Sequence, residues 1–434
     1  MSGATASESN VPAPVSFGEA FRFWLKLGFI SFGGPTGQIA IMHQELVERR
    51  RWISEKRFLH ALNFCMVLPG PEAQQLATYI GWLMHRTWGG IVAGGLFVLP
   101  SVFILIGLSW VYVTWGNVPV VAGIFYGIKP AVTAIVVAAA HRIGSRALRH
   151  PALWAIAAAA FVAIFAFDAP FPAIVLAAGL IGYAGGRFFP KIFSSQHAHQ
   201  KQQAYGPALI DDDTPTPAHA VFSWAKLWAY AAAGMAFWAL MLGALLMAHG
   251  WQDTLTQMGW FFTKAALLTF GGAYAVLPYV FQGAVENYGW LTAPQMIDGL
   301  ALGETTPGPL IMVVAFVGFM GAGVAGALVA TFFTFLPSFI FIFMGAPFIE
   351  TTHGNLKFSA PLTGITAAVV GVILNLAMFF AYHVLWPRGL GGPFDWTSAV
   401  IGLAALVALF RFKAGVMPVI GACALAGLAV TLLR

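Results

Sequence analysis

Long apolar runs separated by short polar stretches fill most of the chain. They lie at about residues 17–44, 58–85, 88–114, 118–141, 151–167 and 171–189, and again at about 222–248, 258–282, 295–320, 322–348, 361–385, 396–411 and 414–432. Most are long enough for a helix to cross a hydrocarbon core of ~30 Å, which takes roughly 18 or more apolar residues. The thirteen segments are arranged as six, one and six. After the first six comes a hydrophilic stretch of Gln, His, Ser, Pro and Asp, whose composition predicts a flexible linker. The expected division is a polar tail over 1–16, a first transmembrane repeat over 17–189, a linker over 190–221, a connecting helix over 222–248 and a second repeat over 249–434.

The apolar pattern is interrupted in an ordered way. FGG occurs at Phe32–Gly34 and at Phe270–Gly272, and PGP at Pro69–Pro71 and Pro307–Pro309. A shift of 238 carries Phe32-Gly33-Gly34 onto Phe270-Gly271-Gly272, Trp52 onto Trp290, and Pro69-Gly70-Pro71 onto Pro307-Gly308-Pro309 without a gap. With a shift of 237, Leu99–Ser101 meets Leu336–Ser338. A gapless register that holds both motifs and a tryptophan indicates duplication. The single segment between the sixes then starts the second copy on the opposite side of the membrane, which predicts inverted repeats.

Charge placement agrees with inversion. Arg49, Arg50, Arg51, Lys56 and Arg57 mark one loop as cytoplasmic, whereas its copy, GAVENYGWLTAPQ, has no lysine or arginine. Arg142, Arg146 and Arg149 place their loop inside, as Arg187 and Lys191 place the linker. If every segment crossed fully, the loop with Arg49–Arg51 would fall outside. The conflict vanishes if 17–44 and 58–85 enter and leave from the cytoplasmic face, turning at FGGPTG and PGP, with 258–282 and 295–320 doing so from the outer face. Non-helical backbone at that depth is tolerated only inside protein or along a cavity. Thirteen straight crossings with broken helices is the alternative. The expected fold is all-α and polytopic, with two inverted repeats whose broken or re-entrant helices meet near the midplane. The N-terminus and linker are expected in the cytoplasm and the C-terminus in the periplasm.

Composition narrows the class. The chain of 434 residues is 59% hydrophobic and 9% charged, with mean hydropathy +0.79, against about 25% charged residues in a soluble protein. The formal charge of +6 reads as membrane orientation and not as a nucleic-acid surface. Cys65 and Cys423 lie in apolar segments and offer neither a disulfide framework nor a metal spacing. Neither a Walker A sequence, a CxxC nor an HExxH pattern occurs, so no ATP drive, metal or cofactor is expected. The polar start carries no secretory pattern, and no enzymatic constellation is present.

The chemistry is expected at the breaks. Proline suits the first turn of a helix, so each break should end in a helix N-terminus inside the membrane. Such an end offers free N–H groups and partial positive charge to an anion. Glycine there allows close approach to the backbone. Lys26 and Lys264 each lie six residues before an FGG and are copies, a candidate cationic pair near the midplane. Ser31 and Thr269, also copies, are candidate hydroxyl donors. Lys129 is a weaker candidate, because its copy is Thr366. Glu72 and Glu304 sit beside the PGP breaks without being copies; Glu72 suits a first-turn role toward the helix dipole, and both are candidates for proton coupling. His43, Asn63, His141 and Asn375 are expected to make interhelical hydrogen bonds.

SFGGPTGQIAIMHQELVERRRWIS followed by LPGPEAQQLATYIG resembles the first half of the chromate ion transporters, and TFGGAYAVLPYV with ETTPGPL their second half. The resemblance spans essentially residues 17–385 and is to the long, two-domain bacterial form. It implies export of chromate across the bacterial inner membrane, chromate resistance, and sulfate as a competing lookalike. It places the functional positions on the FGG and PGP residues. Import or exchange of another oxyanion and an anion channel of the same architecture are the alternatives. A homodimer is compatible with this picture.

Overall fold

The structure, a computed structural model, describes residues 12–32, 34–193, 205–270, 272–352 and 359–433. These are helical almost throughout; the one extended pairing among them is a bridge between Ile53 and Ile210. Among the described residues seven helices are long and apolar enough to cross a membrane, accompanied by the shorter apolar Pro151–Phe167 and Trp396–Phe410. The chain is an all-α polytopic membrane protein.

The predicted interruptions are real breaks. Segment 17–44 is two helices, Phe17–Ile30 and Gly34–His43, the second running on into π-helical Gln44–Arg49. Its copy is Thr254–Leu267 and Ala273–Phe281, again followed by a π-helix, Gln282–Asn287. Glu55–Cys65 stops before the first PGP and Glu72–Trp115 starts after it; Ala293–Thr305 and Leu310–Met312 flank the second. Gly34, Gly70, Gly272 and Gly308 have φ of +68°, +128°, +99° and +110°. Side chains avoid that half of the map, so these glycines let the chain turn.

Each long helix after a PGP is itself folded back. Glu72–Trp115 has non-helical dihedrals at His85 and Arg86, and Val313–Thr352 at Ala322 and Gly323, positions 237 apart. A side chain at Gly81 would lie 2.5 Å from the carbonyl oxygen of Gly89, and one at Gly318 would lie 2.2 Å from that of Gly326. Eight residues on a straight helix would be about 12 Å apart. The arms therefore pack antiparallel, and small residues permit the approach.

The hairpins have identifiable bases. Arg50 lies 3.7 Å from Glu19 and over the rings of Phe23 and Trp52, closing 17–50 on itself. Both ends of 55–84 touch residues 205–222: Arg57 donates to the Thr214 carbonyl, and His219 Nε2 donates to the Trp82 carbonyl at 3.0 Å. In the copy, Trp290 packs on Phe261 at 5.4 Å and a side chain at Gly321 would meet Met258 and Trp290. The first pair of bases lies where helix Trp224–His249 begins, and the second where it ends. Those 26 residues span about 39 Å, the full thickness of a bilayer.

The halves interlock. Gly127 on Pro119–Ala147 packs on Cys423 and Gly427 of the last helix, Val416–Leu433. Gly364 on Ser359–Leu385 packs on Ala178 and Gly182 of Phe171–Phe188. Each half thus inserts a helix against the last helix of the other.

The segment expected as a free linker departs from that expectation. Pro190–Phe193 is a short helix, 194–204 lie outside the described residues, and 205–222 are strapped across the first-half bases. Ser54 donates from its amide to the Ile210 carbonyl at 3.0 Å and from its hydroxyl to Asp212 at 2.6 Å. Ala208, Ile210 and Ala220 are buried there. Composition marked this stretch as polar but carried no sign that its few apolar residues dock.

Candidate functional site

The four breaks meet in two crossed pairs. The Gly70 amide donates to the Thr269 carbonyl at 2.7 Å, and the Gly308 amide donates to the Ser31 carbonyl at 2.7 Å. Each PGP is thereby tied to the residue preceding the FGG of the other half. Ser101 donates to the Pro307 carbonyl, and its copy Ser338 stands beside Gly70. The Gly308 carbonyl also accepts from the buried Gln38 Nε2, and the Pro69 carbonyl accepts from Gln75 Nε2 at 2.8 Å.

These ties decide which groups remain for a ligand. The amides of Gly70 and Gly308 are already donated, and so are two hydroxyl protons, Ser31 to the Leu27 carbonyl at 2.6 Å and Thr269 to the Ala265 carbonyl at 2.7 Å. The four helices after the breaks begin at Gly34, Glu72, Ala273 and Leu310. Their first-turn N–H groups lack intrahelical partners by construction. The buried Ser338 hydroxyl has no partner. Space beside Gly34 is open, and beside Gly272 a side chain would meet only the Glu72 carboxylate, at 3.9 Å.

The structure brings together most of the expected positions. Phe32, Gly34, Pro69, Gly70, Pro71, Phe270, Gly272, Pro307, Gly308 and Pro309 belong to the crossed pairs or their flanks; Gly33 and Gly271 lie outside the described residues. Glu72 stands against Gly272, whereas the equivalent of Glu72 in the other pair is Leu310. Glu304 accepts from the Tyr274 hydroxyl, close by on the same side. The lysines are not brought together. Lys26 is exposed, Lys264 lies over the Trp260 ring at 5.7 Å, and no ion pair involves either among the described residues. Among the described residues no group of three or more His, Cys, Asp or Glu could hold a metal.

Sequence reading missed the polar lining. Gln38, Gln74, Gln75, Ser101 and Ser338 are buried, each a polar group in an apolar run, and the recurring LPS was visible as a repeat only. It also missed two charged trios between the halves. Glu350 pairs with Arg57 at 3.5 Å and accepts from Tyr79; Asp298 pairs with Lys129 at 3.4 Å and accepts from Tyr112 at 2.8 Å.

The two copies differ in openness. A cavity of about 540 Å³ lies between the first-half hairpins, running from Thr36 near the FGG break to His43 and Glu48 at the base, with Leu59 and Leu62 along one wall. Shifted by 238, the half-buried Ile39, Leu59 and Leu62 become Leu277, Ile297 and Leu300, all buried, whereas Phe58 and its copy Met296 are buried alike. Along this wall the same cleft in the second half is packed. At the hairpin-base end of that half a smaller cavity of about 220 Å³ is lined by Asp168, Gln282, Glu286 and Asn375, Gln282 and Glu286 being the copies of Gln44 and Glu48.

Comparison with known proteins follows the duplication. A family model described as Chromate transporter matches residues 18–183 and 256–428, the two matches starting 238 residues apart. The chain is 36% identical to the chromate transport protein of Pseudomonas aeruginosa, over 97% of this chain and 94% of that one. It is 31% identical to that of Cupriavidus metallidurans, over 94% and 92%, and 28% identical to the probable chromate transport protein of Synechococcus elongatus, over 90% and 89%. No solved structure matches.

Proposed function

This chain belongs to the chromate transporter family, and we propose that it is a secondary transporter that exports chromate from the bacterial cytoplasm by alternating access between inverted halves. Chromate comes from the family and from the names of the relatives. The mechanism is argued from geometry, and one observation carries it: two equivalent clefts, one open along Ile39, Leu59 and Leu62 and the other closed where their copies Leu277, Ile297 and Leu300 are buried. An inverted pair that exchanges these conformations exposes a central site first to one face and then to the other. The reciprocal hydrogen bonds of Gly70 and Gly308 support a two-fold relation, since exchanging the halves maps one bond onto the other. The hairpin bases at opposite ends of Trp224–His249 support an axis in the membrane plane. The open cleft faces the arginine-rich loop, so the described conformation is the inward-facing one.

The site suits a tetrahedral dianion. First-turn amides at Gly34 and Ala273 and the Ser338 hydroxyl are the donors, and open space beside Gly34 and Gly272 admits an oxyanion. Glu72 stands against Gly272, and Glu304 joins Tyr274 three residues before the second PGP, so a proton on these carboxylates is required before an anion can approach them closely. The lysines attract the anion from a distance instead of coordinating it. An inside-negative potential drives a dianion outward by roughly 4.6 kcal/mol per 100 mV, at about 2.3 per charge.

Radiolabelled chromate flux in proteoliposomes, with an imposed potential and competing sulfate, tests the reading. Saturable flux that follows the potential supports it. Flux that does not saturate indicates a channel, sulfate preferred over chromate assigns another oxyanion, and no flux of either removes the proposal.

A further inference from the structure

The trio Lys129, Asp298 and Tyr112, like Arg57, Glu350 and Tyr79, whose equivalents are Gln295, Val113 and Phe316, has no charged copy in the other half. The copy of Asp298 is His60, whose Nε2 meets the Ile349 carbonyl at 3.2 Å; the copy of Tyr112 is Ile349; the copy of Lys129 is Thr366, whose hydroxyl returns to the Leu362 carbonyl. The trio therefore breaks the symmetry that shapes the substrate path. Asp298 is 2% exposed, and only its Oδ2 is satisfied, by Tyr112 at 2.8 Å and Lys129 at 3.4 Å. Its Oδ1 is buried without a partner. An unsatisfied oxygen on a buried carboxylate is costly, and a proton removes that cost.

Position gives the trio a task. Asp298 lies five residues into Ala293–Thr305, between the base of that hairpin and its PGP tip. It ties the hairpin to the end of Glu72–Trp115 and to Pro119–Ala147, both of the first half. The base concerned is at the end of Trp224–His249, opposite the open cleft. Arg57–Glu350–Tyr79 stays intact at the side that is already open, which makes it a brace.

We propose that Asp298 and Lys129 form the latch on the outward side, released when Asp298 Oδ1 takes a proton from the outer aqueous phase. This rests on the alternating-access reading above. Protonation converts the carboxylate to the neutral acid, dissolves the ion pair and leaves Lys129 as an unpaired cation at the outward opening. On the helices packed around Asp298, His141, Arg142 and Arg146 lie at least three turns from Lys129 along Pro119–Ala147, and Glu72, His85 and Arg86 lie at least three turns from Tyr112 along Glu72–Trp115. Leu310–Met312, residues 313–321 and Val416–Leu433 contain no charged residue, though Cys423 lies on the last. Ser359–Leu385 has only His383, whose Nδ1 faces its own Phe379 carbonyl. Glu304, two turns along the same helix, is held by Tyr274.

The test is outward accessibility, read without any substrate. Thr305→Cys, placed behind the latch in a chain whose Cys65 and Cys423 are replaced by alanine, is labelled with a membrane-impermeant maleimide from the outer side. Relative to an exposed control cysteine at Asn287, which carries the intrinsic pH dependence of the thiolate, labelling is expected to rise on the order of tenfold as outer pH falls from neutral to mildly acidic, while inner pH has no such effect. Asp298→Asn is expected to label fast at every pH, Asp298→Glu to keep the pH response, and Tyr112→Phe, which spares the ion pair, to fall between. Labelling of the unmodified trio that ignores outer pH overturns the latch, as does an inserted Asp298→Asn protein that labels as slowly as its parent. If Asp298→Asn fails to insert, the Tyr112→Phe and Asp298→Glu results decide in the same way. A failed latch with saturable chromate flux intact removes this inference alone, whereas absent flux with an intact pH response removes the transport reading alone.

Discussion

The Gly70 amide donates to the Thr269 carbonyl at 2.7 Å, and the same bond, moved by 238 residues with the halves exchanged, joins Gly308 to Ser31 at 2.7 Å. One proline on either side of each glycine removes a competing donor and holds the turn, so the glycine N–H is the one amide of the motif free to cross. The crossing places two helix starts of an otherwise apolar bundle beside each bond, Glu72 and Ala273 at one and Gly34 and Leu310 at the other.

Gly70→Ala and Gly308→Ala should abolish transport. An added methyl would stand 2.3 Å from Ser338 Oγ at Gly70 and 1.7 Å from Ser101 Oγ at Gly308, on backbone that side chains avoid at a cost of about 1–2 kcal/mol. Membrane-inserted variants should show lowered melting temperatures in detergent together with lost flux. Normal flux from either would show that the crossing is dispensable.

Gly34→Val and Gly272→Val are expected to act differently. Nothing surrounds a side chain at Gly34, so the protein should insert normally, while the side chain fills the space an oxyanion needs and strains a positive φ. Chromate uptake into inverted vesicles should fall on the order of tenfold or more with insertion unchanged. Uptake at the parent rate would remove the breaks from the anion path.

Lys26→Ala and Lys264→Ala should weaken chromate attraction without ending transport, because the side chains lie apart, one exposed and one against Trp260. The apparent KM is expected to rise severalfold at low ionic strength and the difference to shrink as salt screens it. A collapse of kcat that salt does not alter would instead make the lysines direct ligands.

The breaks and the duplication were legible because glycine and proline in duplicate register have few other uses inside a membrane, whereas the crossing of each PGP to the other half's FGG was not. What eluded the sequence depends on contacts between distant residues. Asp298 and Lys129 are 169 positions apart, and neither has a charged copy to draw attention to it. Ser31 and Thr269 looked like free donors, yet in a helix such hydroxyls return to the carbonyl one turn back, and both do. The docked part of the linker was hidden because Ile210 and Ala220 are too few to register as a core.

That strap gives a pH prediction. His219 sits below its ordinary value of about 6.5, because burial disfavours the charged ring and Arg86 and Lys226 add repulsion against the opposing Trp82 carbonyl. The docked ring holds its proton less tightly than the released one, so docking is at full strength above about 6.5 and weakens as pH falls through that value. Limited proteolysis of 205–222 should accelerate on mild acidification of the cytoplasmic side, and His219→Gln should reduce the change. Cleavage that is insensitive to pH would assign the docking to Ile210 and the Ser54 contacts alone.

The inverted relation of the halves is tested most directly by sidedness of two equivalent exposed positions, Arg49 and Asn287, at the bases of the first hairpin and of its copy. Single cysteines at these positions, in a chain lacking Cys65 and Cys423, are exposed in intact cells to a maleimide that cannot cross the inner membrane. Asn287→Cys should react from outside, and Arg49→Cys only after the membrane is opened. Reaction of both from the same side would contradict inverted halves, and with them the alternating-access mechanism.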